Sequence, residues 1–428
     1  MSTYRISTAG QQSAAIAQML KQQTLIARTQ AQVSSGVRVQ TPADDPVAAA
    51  RILGLESAQS QLGQYGKNAD AATDRLNLGE QSLSDLSTLL QRIQELAVQA
   101  NSGALDDVSL GSIATELKER AGELLQIANR QDSNGEYLFA GYSTGTQPFA
   151  NDGSGVTYAG DQGVRQLQIS SSQKVADGFP GQRVFMDIPQ GNGTFTVTAG
   201  TNTGTAVIGV QQVLDGSQWS AAAAANAAAT PPLPNDYTIR FTDPDGDGTA
   251  DSWELLDANG NPVMDNGTPP APVTGSYTDG GSISFDGVQF SLSGQPAVGD
   301  TFQVQPAGTE SLFKTLNDLI TALGSGSATP QSRAQLGTAL NKAQAQLDNG
   351  LNHTIDLRTE IGARLSSLDT AASMRDDLNA QLTTSLSNTR DVDMAQAIST
   401  LNQQMVGLQA AQAAYTRIGQ MSLFDWLK

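Results

Sequence analysis

The chain has 428 residues, with 42 acidic against 24 basic side chains, a formal charge of −18 and no cysteine. Phosphate recognition needs clustered Lys and Arg, so this balance argues against nucleic acid and anionic membrane surfaces as partners. Disulfides, thiol catalysis and thiolate metal sites are excluded outright.

The length allows two or three domains. No stretch approaches the roughly 20 apolar residues that span a bilayer. The opening "MSTYRISTAGQQSAAIAQML" lacks the basic segment and apolar core of a secretory signal peptide. The expectation is a chain that stays in the cytoplasm or is exported without a cleaved signal.

The early part is rich in Gln, Ala, Leu and Ser and carries a helical period. A first helix has a modest stripe at Ile16, Leu20, Ala27, Gln30 and Val33 and stops at Ser34–Gly36. Asp45 then stands as an N-cap before Pro46, which loses nothing at the first helical position by lacking an N–H. Arg38 or Arg51 could answer its charge. Further on the repeat becomes strict. Ala69, Ala72, Leu76, Gly79, Leu83, Leu86, Leu90, Ile93, Ala97 and Ala100 alternate spacings of three and four, a heptad seam. Asn101–Gly103 ends it, and another helix uses Leu110, Ile113, Leu117, Leu124 and Ile127.

The middle is rich in Gly, Thr, Asp and Pro. "EYLFAGYSTGTQPFA" follows an Asn134-Gly135 turn. "GTFTVTA", "DYTIRFTD", "SWELLDANGNPV", "SISFDGVQFSLSG" and "GDTFQVQPA" alternate in the manner of antiparallel hairpins. Ala221–Pro234 is low in complexity, either a loop or a short helix ended by Pro231 and Pro232.

The late part returns to helix. Its stripe runs through Leu336, Leu340, Ala343, Leu347, Leu351, Thr354, Ile361, Leu365, Leu368, Leu382 and Leu386. After Asp391 a last helix carries Ile398, Leu401, Met405, Leu408, Gln412, Tyr415 and Ile418. Seams this wide need partner helices, and those of the two ends suit each other. The predicted fold is α+β: a long antiparallel helical rod formed by both chain ends, with β-hairpins and an inserted β-rich domain. The predicted divisions are 1–40 with 391–428 as terminal assembly helices, 41–188 with 307–390 as the rod, and 189–306 as the insert.

Catalysis needs a titratable group poised near the working pH, or a metal. The one histidine, His353, lies in a helical stripe. No second His, nucleophile elbow, HExxH or Walker-type loop accompanies it. The expectation is no enzyme and no organic cofactor.

"DPDGDGTADSWE", Asp243–Glu254, fits the D-x-D-x-D-G-x₅-E pattern of a calcium loop. Asp243, Asp245, Asp247, Asp251 and Glu254 would give side-chain oxygens, Thr249 its carbonyl, and Gly248 the turn. Gly and Asp are also what a tight turn uses. The flanks read as strands rather than helices, and Pro244 sits oddly at the second position. Calcium as the one candidate cofactor, and a plain acidic hairpin turn, both stay open.

The closing "MSLFDWLK" places Leu423, Phe424, Trp426 and Leu427 where little of the chain can cover them. The outer segments carry few charges, and their Ala- and Gln-rich stripes bury little per turn. A lone pair of such helices is marginal in water. Leu401, Met405, Leu408, Tyr415, Ile418, Leu423, Phe424, Trp426 and Leu427 are therefore expected to form an assembly interface, covered by neighbouring subunits.

"VSSGVRVQTPADDPVAAARI", "NRQDSNGEYLFAGY" and "RTEIGARLSSLD" resemble segments of bacterial flagellins and hook-associated proteins, in the right order. "YTIRF", "WELLDANGNPV" and "ISFDGVQFSLSGQPAVGDTFQV" resemble a module common in the hook-associated members, and "MSLFDWLK" is similar to the end of those that join hook to filament. The resemblance implies an extracellular structural subunit of the flagellum. It would leave through the flagellar export channel, with an export chaperone masking its end. Its implied partners are hook-associated protein 1 on one side, flagellin on the other, and further copies of itself in a ring or tube. Two other readings remain: a flagellin filament subunit, and a secreted calcium-binding adhesin built on the β-rich middle. The adhesin leaves the long seams without a role.

Overall fold

The computed structural model describes residues 8–102, 105–153, 155–265 and 268–420. The chain begins with helices α1 (Thr8–Ser35), α2 (Pro46–Ala100) and α3 (Asp107–Ala128). Short strands follow: β1 (Phe149–Asn151), β2 (Val156–Tyr158), β3 (Gln166–Gln168) and β4 (Lys174–Ala176). After a π-helical turn (Gln182–Met186) come β5 (Ile188–Pro189), β6 (Phe195–Ala199), β7 (Val207–Val213), α4 (Gly216–Ala228), β8 (Tyr237–Thr242) and β9 (Ser252–Leu256). Next are β10 (Thr274–Ser276), β11 (Ser282–Phe285), β12 (Val288–Ser293), β13 (Thr301–Pro306) and β14 (Thr309–Glu310). The chain returns to helix with α5 (Leu312–Gly324), α6 (Pro330–Arg390) and α7 (Met394–Gln420). This is an α+β fold with long helices at both ends and an antiparallel β-rich middle.

The described residues fall into two compact units. The described residues within Met1–Ala69, Ile169–Ser172 and Asp369–Lys428 form one; those within Asp70–Gln168 and Gln173–Leu368 form the other. Helices α2 and α6 contribute residues to each.

In the second unit the heptad seam fills as its spacing demands. Leu76, Leu83, Leu86, Leu90 and Ile93 of α2 are fully buried, as are Leu340, Leu347 and Ile361 of α6. The two run antiparallel. Arg358 reaches Glu80 at 2.7 Å, Gln94 meets Asp348, and Asn101 meets Asn341. Helices start where local chemistry satisfies their first N–H groups: Asp106 accepts from Ser109 N, Ser311 from Lys314 N, and Thr329, just ahead of Pro330, from Ser332 N. Ala221–Pro234, left open between loop and helix, is mostly α4, and Asp215 caps it.

One charge interrupts this apolar seam. Arg75 is nearly buried, 3.0 Å from Asp132 and 2.9 Å from the Tyr137 carbonyl, and Asp177 lies behind it, bound also by Arg165 at 2.6 Å. Leaving Arg75 or Asp177 unpaired would cost several kcal/mol, so the cluster fastens the hairpin entry to α2 in one geometry.

The β-rich middle holds a five-stranded sheet in the order β10-β9-β8-β13-β6 and a three-stranded sheet β11-β12-β7, every pair antiparallel. Phe195, Phe241, Phe290 and Phe302 share one core with Trp219 of α4. This region meets α6 largely through polar side chains. Gln331 donates to the Asn202 carbonyl, Thr338 accepts from Ile208 N, Asn341 donates to the Ile208 carbonyl, and Asn349 donates to Pro189 and Gly191. β7 is a sheet edge, and unpaired edges invite further strands. Here α6 covers it.

Candidate functional site

The terminal helices form the first candidate. α1 and α7 lie antiparallel in the first unit: Thr29, nearly buried, donates to the Gln404 side-chain oxygen at 3.0 Å. Gly407 leaves room for Gln22, whose Nε2 would sit 3.0 Å from a Cβ there. A two-helix pair can bury only one face of each member. Leu401, Leu408 and Tyr415 are accordingly half-buried and Met405 is exposed. Ile16, Ile398, Leu20 and Val406 are exposed as well, the last two at 58% and 64%. The Ile418 side chain and Leu423, Phe424, Trp426 and Leu427 lie outside the described residues.

The joint between this pair and the inner helices is built from both chain ends. α1 stops at Ser35 and α6 at Arg390, and the two breaks meet in an antiparallel bridge, Val37 to Asp391. Gly36, at φ +73°, makes the reversal that lets its carbonyl accept from Val392 N at 2.9 Å. Asp45 caps α2 through Oδ1, 3.0 Å from Ala48 N, while Oδ2 faces Arg38. The structure thus pairs Asp45 with Arg38 of the two arginines in question. The Ala48 N–H, aided by Arg38, holds its carboxyl below the ordinary value. Asp44 divides its oxygens likewise, Oδ1 to Arg28 at 2.9 Å and Oδ2 to the Thr41 and Gln40 backbone; the Thr41 N–H is the main cause of its lowered pKa. Pattern reading found the cap but not the bridge, whose partners are more than three hundred residues apart.

The acidic loop is the second candidate. Carboxylate oxygens of Asp243, Asp245 and Asp247 come within 4.8 Å of one another. Asp243 already accepts from the N–H groups of Gly246, Asp247 and Gly248, and the last of these chiefly lowers its pKa. Asp245, hydrogen-bonded to Asp243, is pushed up. Asp247 accepts from Thr249. Asp251 bonds Ser252, and Glu254, on β9, pairs with Arg240 at 2.6 Å. The first three acids converge; the carboxylates of the last two are turned to other partners.

His353 lies on α6 with Nε2 2.7 Å from the Arg183 carbonyl oxygen, to which it donates. That bond fixes the helix against the π-helical turn. No helix among the described residues is long and apolar enough to cross a membrane.

Residues 6–144 match the family described as bacterial flagellin N-terminal helical region. Flagellar hook-associated protein 3 of Escherichia coli strain K12 is 27% identical over 398 residues, 93% of this chain and 91% of that protein. FlgL of Xanthomonas campestris is 32% identical with a TM-score of 0.66, covering 78% of this chain and 99% of that structure. The flagellar junction protein FlgL of Legionella pneumophila is 29% identical with a TM-score of 0.67, covering 79% and 99%. The paired terminal helices, the β-rich insert between them and these likenesses along most of the chain lead to one conclusion: it belongs to the bacterial flagellin and hook-associated protein family, and is similar throughout to flagellar hook-associated protein 3.

Proposed function

We infer that this chain is a structural, non-catalytic subunit of the bacterial flagellum that joins hook to filament. The observation that carries the reading is the half-filled apolar surface of α1 and α7. These helices pair with each other, yet leave Leu20, Ile398, Met405 and Val406 uncovered. Such a surface is completed by like helices of neighbouring subunits: other copies, hook-associated protein 1 on the hook side, and flagellin on the filament side. Leu401, Leu408, Tyr415 and Ile418, with Leu423, Phe424, Trp426 and Leu427, would belong to that contact. The full-length likeness to a hook-associated protein, and to a Legionella relative described as a junction protein, favours this place over the body of the filament.

Export without a cleaved signal suits a cysteine-free chain, which cannot crosslink on the way out. An export chaperone would mask the C-terminal surface until assembly. Neither nucleic acid nor a membrane is a partner of a chain with this charge.

Deleting the gene should leave hooks intact and release filament protein into the medium, and expression of this chain should restore filaments. Normal filaments in the deletion strain would refute the junction reading.

A further inference from the structure

The joint between the inner and outer helices holds one side chain whose contacts reach both chain ends. Arg38 donates through Nη2 to the Thr389 carbonyl at 2.7 Å, in the last turn of α6. Its Nη1 lies 3.4 Å from Asp45 Oδ2, at the cap of α2. Its backbone N–H donates to the Arg390 carbonyl at 2.7 Å, and its own carbonyl accepts from Gln32 of α1 at 2.7 Å. One residue therefore touches α1, the cap of α2 and the end of α6.

We propose that Arg38 is the positioning residue that fixes the direction of the α1–α7 pair relative to α2 and α6. A guanidinium presents its N–H groups in a rigid plane, so two acceptors on separate helix ends are held at a set angle. A lysine ammonium offers its three donors from one mobile point and sets no angle between two acceptors. Other ties persist whatever side chain stands at position 38: its N–H to the Arg390 carbonyl and Gln32 to its own carbonyl engage its backbone alone, and the rest are local. The bridge supplies Val392 N to the Gly36 carbonyl. Arg28–Asp44 ties α1 to the loop before α2 but does not reach α6. Arg390–Asp391 joins neighbours in sequence. Without the Arg38 side chain the two helix breaks stay linked by backbone bonds, but the tie from this residue to the Thr389 carbonyl and the cap of α2 is lost, and with it the set angle.

The consequence rests on the assembly reading. Subunits that pack through α1 and α7 need those helices presented in one orientation, and Arg38 would set it before neighbours arrive. The geometric statement stands without that reading and is tested without it.

The chain has no cysteine, so two can be introduced cleanly for spin labels. Ser60→Cys on α2 and Ala410→Cys on α7 are both exposed. Pulsed electron resonance on the full, unassembled chain should give one narrow distance distribution. Arg38→Ala should broaden it and shift its centre. Arg38→Lys should remain broad, whereas a merely electrostatic role predicts rescue. Helix content and the melting of the β-rich middle should not change, which separates loss of angle from loss of fold. A narrow, unshifted distribution in Arg38→Ala overturns the proposal, whatever happens in assembly. If the distribution broadens but flagella do not depend on this chain at all, the assembly reading fails instead.

Discussion

The exposed stripe on the outer helices makes a quantitative demand. Leu20 and Val406 are 58% and 64% exposed in the free chain, so more than half of each side chain still awaits cover. Complete burial of a Leu or Val is worth roughly 1.5–3 kcal/mol, which leaves about 1 kcal/mol per residue to be gained on assembly. In a Leu20→Ala/Val406→Ala variant the subunit itself should change by less than about 0.5 kcal/mol, because exposed substitutions seldom do more and alanine suits a helix. Assembly should lose about 2 kcal/mol, a roughly thirtyfold rise in the concentration that half-saturates hook or filament ends. Leu386 supplies the contrast. It is 7% exposed, so Leu386→Ala should lower the melting of the free subunit by about 2–5 kcal/mol in stability. The assay pairs calorimetric melting with binding to sheared filament ends. If the double variant melts as early as Leu386→Ala, or binds as tightly as the parent, the outer stripe is not an assembly surface and the reasoning is wrong.

The other expectations concern single contacts. Asp45→Asn keeps an acceptor for Ala48 N and loses only the charge facing Arg38, so calorimetry should rank melting as parent, then Asp45→Asn, then Asp45→Ala. Asp44, Asp45 and Asp391 all have pKa values lowered from 3.8 by their partners at the joint, where Arg28, Arg38 and Arg390 face them. Their contribution is therefore complete above the ordinary aspartate value and is lost as pH falls through the lowered values. The spin-label distance should hold from neutrality to about pH 4 and broaden only below it. Three backbone N–H groups already occupy most of the lone pairs of Asp243, and calcium would have to displace Arg240 from Glu254, so titration calorimetry on the whole chain should show no calcium heat that Asp243→Asn removes. Gln346, 1% exposed, donates to the Ile188 carbonyl, an oxygen that the β5–β14 pairing also meets, so Gln346→Ala should cost about 1 kcal/mol, one net hydrogen bond, read as earlier melting.

What the sequence showed and what it hid divide along physical lines. The seam from Ala69 to Ala100 was legible because a strict spacing of three and four in Leu and Ala has few other meanings, and its positions are buried apart from the half-covered Gly79. The strands around Tyr237–Thr242 and Val288–Ser293 were legible from alternation, and alternate residues are indeed buried. α4 was hidden by its alanines, which suit a helix but carry no stripe; the available signal was Asp215 followed by Ser217 and Gln218, whose N–H groups it accepts. Thr329-Pro330 repeats the logic of Asp45-Pro46, and the same rule finds it. Arg75 carried no local signal. Its partners lie between 57 and 102 positions away, and a lone arginine beside a leucine seam looks like a solvated charge until the chain is folded. The bridge at the joint was hidden for the same reason.

Burial along α2 also encodes where the subunit is complete and where it is not. Toward the C-terminal end of the helix Leu83, Leu86, Leu90 and Ile93 are sealed by the chain's own residues. Near its start Ile52, Leu55 and Leu62 are only half-covered and Leu53 is exposed, although the side chains are of the same kind. α6 carries a similar gradient in reverse, from sealed Leu340 and Leu347 to half-covered Leu382 and exposed Leu378, with Leu386 near its end the buried exception. Composition alone does not set this difference. In the second unit α3, α5 and the hairpins add further apolar partners; in the first, the described residues offer little beyond paired helices. A pair of helices cannot close a seam that needs three or four. The unfilled part of the seam lies at the chain ends, beside the joint that Arg38 ties together. Neighbours that complete the seam would thus meet helices whose direction is already fixed, and part of the ordering cost of assembly would be met within the free subunit.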